Sequence, residues 1–280
     1  MKIKSIQDIL NTLRNKVHID GYIKFLGNKT ITYETIKDDI DILILGSSHA
    51  QFSYRAKDNA FNFGASSQDL YYSYKLYEKY NKNLKTIILF YSVFSPGNQT
   101  IKTNYANVAV KYKIITEIDY QDTLTAKEKN LYELEDQFKK EYVLYKQKHR
   151  CNTKDRGNQK HYQSQINDIS VAERAYKHLK NNLRDNHQTD YVIKMKDLAN
   201  CNNARFLVVI PPATSTYKNC LPSFDKLFKE LLNASNQKDI EILNLYDSPL
   251  FLDSDFVDCD HLNLKGAKKL TKIVNEYLKQ

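Results

Sequence analysis

Continuous apolar runs of strand length punctuate the chain, and most are closed by glycine or proline. Asp41-Ile42-Leu43-Ile44-Leu45 ends at Gly46, and Ala60-Phe61-Asn62-Phe63 ends at Gly64. Thr86 to Tyr91 follows, then Arg205 to Ile210 closed by Pro211-Pro212, then Ile240 to Tyr246. Continuous rather than alternating apolar character predicts strands buried on both faces, as in a parallel sheet. Between them lie patterns near the helical period. Leu70, Tyr74, Leu76, Tyr77 and Tyr80 share a face within 67–80, and Phe224, Leu227, Phe228, Leu231 and Leu232 do so within 224–232. Leu264, Ala267, Leu270, Ile273, Val274, Tyr277 and Leu278 form the apolar side of a C-terminal helix whose lysines lie opposite. Strands alternating with helices predict an α/β fold: a three-layer α/β/α sandwich on a five-stranded parallel sheet, with the ligand site at the carboxyl ends of the strands.

The stretch from Ser92 to Asn203 is too long for one compact crossover. Thr125-Ala126-Lys127-Glu128 has capping-box spacing, and Leu131, Leu134, Phe138, Tyr142 and Tyr145 continue a helical face. Residues 151–163 read as a polar loop, and a further helical region runs from about Ser170 to Leu198. The expected organisation is a single domain over 1–280. Within it, 1–39 is a helix followed by an extended lead-in, and 100–168 is a mostly helical basic insertion.

Composition narrows the class. An apolar fraction of 41% with 12% aromatic residues excludes a disordered chain. No apolar run reaches the roughly 18 residues of a membrane span, and the first twenty residues interrupt their apolar positions with charge, unlike a secretory signal. Cys151, Cys201, Cys220 and Cys259 lie far apart with no metal-binding spacing, which suits a reduced, cytoplasmic protein. The charge balance, 42 − 33 = +9, favours anionic partners. Within 139–160, eight Lys/Arg face Glu141 and Asp155, a net +6. That stretch is a solvated face or a surface for an anionic polymer. No nucleic-acid-binding motif accompanies it.

Three strand ends carry the candidate chemistry. The first empties into Gly46-Ser47-Ser48-His49-Ala50 and the second into Asn62-Phe63-Gly64-Ala65-Ser66. Asp258-Cys259-Asp260-His261-Leu262-Asn263 stands directly before the last helix. A serine hydroxyl is a weak nucleophile until an imidazole takes its proton, and the imidazole needs a carboxylate to fix its tautomer. An Asp three residues before a His, on a turn, can fold back onto Nδ1 and leave Nε2 to face a serine across the sheet edge. Ser48 with His261 and Asp258 is therefore the candidate catalytic set. Backbone N–H groups of Ser48 and Gly64 are candidate oxyanion donors.

At these residues the chain resembles the SGNH (GDSL-type) hydrolase and acyltransferase superfamily over 41–95 and 204–280. The resemblance implies a nucleophile at Ser48, an oxyanion glycine at Gly64, and a triad acid and base at Asp258 and His261. Two blocks depart from the pattern. Ser47 replaces the usual Asp, as in relatives that acylate cell-surface polymers, and Phe90-Tyr91-Ser92-Val93-Phe94-Ser95 lacks the Gly-x-Asn of the third block. Ser92 stands near the expected third oxyanion donor, with Asn98 as the alternative.

Other residues have plainer readings. His49 packs or makes a surface hydrogen bond, and Asp260 would point away from the imidazole if side chains alternate there. Tyr71, Tyr72 and Tyr74 pack a helix, Cys259 fills space, and the acidic residues near 253–260 lack the partners a metal needs. The expected function is an O-acyltransferase, with acetyl-CoA as donor, no metal, and a bacterial acidic polysaccharide or oligosaccharide as acceptor. The protein would then be peripheral to a capsule assembly complex. A carbohydrate esterase of the same fold and a silent polysaccharide-binding module are the alternatives.

Overall fold

Five parallel strands, β1 (Ile42–Gly46), β2 (Ala60–Asn62), β3 (Thr86–Phe90), β4 (Arg205–Ile210) and β5 (Glu241–Asn244), run in the order β2-β1-β3-β4-β5. This is the doubly wound, flavodoxin-like order, and its reversal point lies between β1 and β3. The computed structural model describes residues 19–103, 106–121, 131–159, 170–184 and 188–280. Among the described residues no helix is long and apolar enough to cross a membrane.

The strand sequences explain why both faces are covered. Leu43, Leu45, Ile87, Leu89, Phe206, Val208 and Ile210 belong to one buried cluster, and Ile44, Ile88, Phe90, Leu207 and Val209 to the other. Alternate residues thus feed opposite cores, which is why the runs are apolar without interruption. On the second face α2 (Ser48–Ser53) packs against the C-terminal helix, whose Leu270 and Val274 meet Ala50 and Tyr54 in one cluster. On the first face lie α1 (Gly21–Ile36), α3 (Leu70–Lys79), α4 (Ala106–Thr116) and α5 (Leu131–Lys148). They are joined there by α7 (Asp190–Cys201) and α8 (Lys229–Lys238), which flank β4 in the chain. The remaining long helices among the described residues are α6 (Val171–Asn182) and the C-terminal α9 (Leu264–Tyr277).

Several expectations are corrected. The supposed extended lead-in is the helix α1, capped by Asp20, whose carboxylate accepts the N–H groups of Tyr22 and Ile23. Its apolar stripe is interrupted by buried polar residues, among them Lys29 and Thr32, which hid the period. The ammonium of Lys29 donates to the carbonyls of Asn62 (2.8 Å) and Gly64 (2.5 Å), tying α1 to the end of β2. Residues 224–232 are not one helix: a turn at Phe224–Leu227 gives way at Phe228 to α8. The region from Ser170 to Leu198 is likewise two helices, α6 and α7.

Helices α4 and α5 of the 100–168 stretch pack on each other and on α1, and the following loop seats against β2, where Asn62 N donates to Arg156 O. The Thr125–Glu128 capping box and the start of the chain, 1–18, lie outside the described residues.

Candidate active site

Two local devices place Ser48. Gly46 ends β1 with φ +129°, and a Cβ there would lie 2.8 Å from the Phe90 carbonyl oxygen, so only glycine lets the chain turn beside β3. Ser48 is then the first residue of α2, at the carboxyl edge of β1, where its N–H has no partner within the helix. The loop after β2 is pinned to α2 from the other side: Gln51 Oε1 accepts both the N–H (2.6 Å) and the hydroxyl (2.9 Å) of Ser66.

The turn before α9 builds the second half. Asp258 Oδ1 accepts the backbone N–H groups of Asp260 (3.0 Å) and His261 (2.7 Å), and Val257 N–H closes the turn on His261 O. The other oxygen, Oδ2, is left for His261 Nδ1 at 2.8 Å. A carboxylate at Nδ1 holds the proton there and leaves Nε2 as the acceptor. Nε2 lies 2.8 Å from Ser48 Oγ. Residues 213 positions apart thus meet in hydrogen-bond contact, with the carboxylate behind.

Asp260 does not point away. The alternation that would send it outward belongs to extended backbone, and here the chain turns. The residue is 3% exposed, and its carboxylate lies among four basic side chains. Arg174 Nε donates to Oδ1 at 2.5 Å, His49 Nε2 is 3.2 Å from Oδ2, and the Nδ1 atoms of His178 and His261 are each 3.7 Å from a carboxylate oxygen. His49 is not at the surface. Its Nε2 faces the carboxylate, so Nδ1 is the acceptor for the Ser92 hydroxyl at 2.8 Å. A second serine–imidazole–carboxylate chain, Ser92–His49–Asp260, therefore lies buried beneath the first.

Charge in this cluster is distributed unevenly. For His261, burial opposes the charged ring, but Asp260 and then Asp258 outweigh it, and the pKa lies above the ordinary 6.5. For His49 burial prevails over Asp260 and the pKa is lowered. Burial also dominates at His178, pushed down to about 3. Burial would raise Asp258, yet its hydrogen bond and charge contact with His261 hold it below its usual value. Asp260 is held well below its own, again against burial, by the charges of His261, His49 and Arg174. One ring of three is thus tuned to accept a proton, and it is the one touching Ser48.

A cavity of about 510 Å³ opens over Ser48 and His261, walled also by Phe52, Ser66, Ser67, Phe94, Asn98 and one side of α6. Two of the expected oxyanion donors are not there. The N–H of Gly64 donates to Asn62 Oδ1 at 2.9 Å, and the glycine is pressed against α2, where a Cβ would fall 2.5 Å from that of Ala50. Ser92 turns its hydroxyl to His49 and its N–H to Ser95 Oγ, behind the cavity wall. Asn98, the alternative, is in the wall, as is Ser67 with φ +64°.

Sequence reasoning missed Arg174, Lys177, His178 and Asn181, all in the wall. Their i, i+3, i+4, i+7 spacing on a helix was the available signal. The tyrosines Tyr71 and Tyr72 are helix packing, as expected. The basic run 139–160 contributes nothing to the described wall.

No family model matches the chain, and no curated protein matches it. A solved structure described as a lipolytic protein of the G-D-S-L family, from Desulfitobacterium hafniense DCB-2, aligns over 84% of this chain and 97% of its own. Identity is 10% and the TM-score 0.38. His49, Asp260 and His261 offer ligand atoms within 4.8 Å of one another, but each already serves a partner described above.

Proposed function

We propose that the protein is a serine-dependent O-acyltransferase, an O-acetyltransferase in the simplest case, acting on hydroxyls of an acidic bacterial surface polysaccharide. The observation that carries this reading is the 2.8 Å contact of Ser48 Oγ with a His261 ring whose other nitrogen is held by Asp258. In the first half-reaction Ser48 Oγ attacks the thioester carbonyl carbon of acetyl-CoA while His261 Nε2 takes the hydroxyl proton. The tetrahedral adduct collapses, the C–S bond breaks, and the imidazolium returns the proton to the departing thiolate. In the second, Nε2 takes the proton of a sugar hydroxyl, whose oxygen attacks the acyl-serine; the ester forms and Ser48 regains its proton.

Asp258 orients the ring and stabilises its charged form. The backbone N–H of Ser48 and the side chain of Asn98 serve as oxyanion donors in this scheme. A relay of this kind does not choose between water and sugar as acceptor. The capacious wall beside it, which carries Lys102, Lys177, Lys180 and Arg184, favours a large anionic substrate over a small neutral ester.

The test is to incubate the protein with acetyl-CoA and with acetylated or unacetylated acidic polymer, following CoA and acetate separately. Release of CoA that depends on unacetylated polymer, with acetyl retained on it, supports transfer. Acetate released from acetylated polymer without CoA supports the esterase. Neither, with Ser48 unlabelled by an acyl donor, leaves a binding module.

A further inference from the structure

The cavity is not uniformly charged. Beside Ser48 the cations are balanced: Arg174 is engaged by Asp260, and Asp258 adds a second carboxylate. Further along the same helix the lining is basic. Lys177, Lys180 and, just past its end, Arg184 line the wall, with Lys102 facing them from the segment after β3. Among the described residues no carboxylate pairs with Lys180 or Arg184. Asn98, Thr100, Thr103 and Asn181 stand between these charges as neutral hydrogen-bonding groups.

From Arg174 to Lys180 the helix rises roughly 9 Å, at about 1.5 Å per residue. Lys180 therefore stands about one sugar or one phosphate diester along α6 from Arg174, which lies beside His261. Placement is fixed by backbone: Gly97 has no room for a Cβ, which would fall 2.0 Å from the Asn181 carbonyl oxygen, so the loop carrying Asn98 is locked onto the end of α6.

From this we infer that the α6 end of the cavity is an anion subsite, in which Lys180 and Arg184 hold a phosphate or carboxylate of the substrate while its acyl centre or hydroxyl lies at Ser48. The inference rests on the acyl-transfer reading for what happens at Ser48, but the subsite itself is a property of the wall. Clustered cations in a concave wall focus potential more strongly than the same charges spread over an open helix. This separates the subsite from the larger basic run at 139–160, which the sequence alone makes the more prominent candidate. Two substrate sources share the required chemistry: the phosphates of an acyl-CoA donor and the carboxylates of an acidic glycan acceptor.

The test uses the full chain as Ser48→Ala, so that binding is read without turnover, and titrates it calorimetrically with CoA and with a galacturonic acid oligomer. A neutral glucose oligomer of equal length is the reference. The anion subsite predicts that one anionic probe binds at least about tenfold more tightly than the neutral oligomer and weakens as salt rises. It also predicts that K180E/R184E, added to this background, removes about tenfold or more of that affinity. K146E/K154E, with the same change in net charge, leaves it intact. Which probe shows the effect tells donor from acceptor. Equal binding of charged and neutral probes, or equal losses in the two double variants, overturns the subsite. A loss in K180E/R184E accompanied by a lowered melting temperature is resolved with K180Q/R184Q, which must lose anion affinity while melting as the parent does. Active Ser48→Ala protein would sink the nucleophile instead and leave these binding results standing.

Discussion

The rings of His49 and His261 stack with centroids 4.9 Å apart and planes 29° from parallel, and the single buried carboxylate of Asp260 faces both. The pair explains how two imidazoles in contact can hold different protonation behaviour. His49 is sealed between Ser92 and Asp260, and desolvation keeps it neutral. His261 has Asp258 in addition and reaches the cavity, and its charged form is favoured. In the proposed reaction, a neutral, aligned ring beneath His261 adds no repulsion when that ring takes the serine's proton.

The triad assignment predicts that Ser48→Ala or His261→Ala lowers kcat on any accepted acyl donor by about 10⁴-fold or more, with Asp258→Asn somewhat less damaging. Steady-state rates of the three variants check this. Because the residues act as one unit, the double variant S48A/H261A should be little worse than either single one.

Activity should fall on the acid side through a pKa above 6.5, because only neutral His261 can accept the serine's proton and its pKa is raised. Asp260→Asn removes the largest favourable influence on the charged ring and leaves Arg174 nearby. The acid limb of kcat/KM must then move to lower pH. A limb that stays put, or moves up, would show that Asp260 does not act on His261. His49→Gln, which removes a neutral ring, should move that limb much less than Asp260→Asn does.

Asp260 also links pH to stability. Its folded pKa lies well below the unfolded value near 3.8, so its stabilising contribution is complete above that value and fades as pH falls through the folded one. Truncation to alanine, which leaves Arg174 half-buried without its carboxylate, should cost about 3–5 kcal/mol at neutral pH in denaturant unfolding. The difference from wild type should shrink under strongly acid conditions.

Gly64→Ala tests the close packing of the second strand end against α2. A Cβ there would stand 2.5 Å from Ala50 Cβ and 2.7 Å from Gln51 N, so α2 must move and carry Ser48 with it. The expected cost is about 1–3 kcal/mol of stability together with loss of activity. Were Gly64 merely an oxyanion donor, its alanine variant would keep the N–H and melt as wild type does.

Asn98→Ala should lower kcat by about 10²-fold with little change in KM, the behaviour of a group that acts on developing charge. Ser92→Ala should not reproduce that pattern, since its hydroxyl serves His49 behind the wall. An Asn98→Ala enzyme with unchanged kcat would return the third donor to the backbone.

The sheet was legible because β1, β3 and β4 are buried on both faces, so Ile42–Leu45, Ile87–Phe90 and Phe206–Ile210 are apolar without a break. The Ser48–His261–Asp258 set was legible for a related reason. Its members stand at strand and helix boundaries, where glycine and short polar residues mark turns. Asp260 was not, because its direction depends on Asp258 Oδ1 gathering two successive N–H groups and bending the chain. Gly64 looked like a donor until packing showed its N–H spent on Asn62. The cationic wall could not be read at all from charge runs. Arg174, Lys177 and Lys180 lie on α6, Arg184 just past it and Lys102 on another segment, and only tertiary placement distinguishes Lys180 from Lys140.

The most direct measurement is exposure of the folded protein to a serine-directed fluorophosphonate, followed by intact mass and peptide mapping. One adduct per chain on the peptide carrying Ser48, lost in Ser48→Ala and greatly slowed in His261→Ala, is the predicted result. An unlabelled protein, or label on another serine at equal rate in all three, would contradict the account.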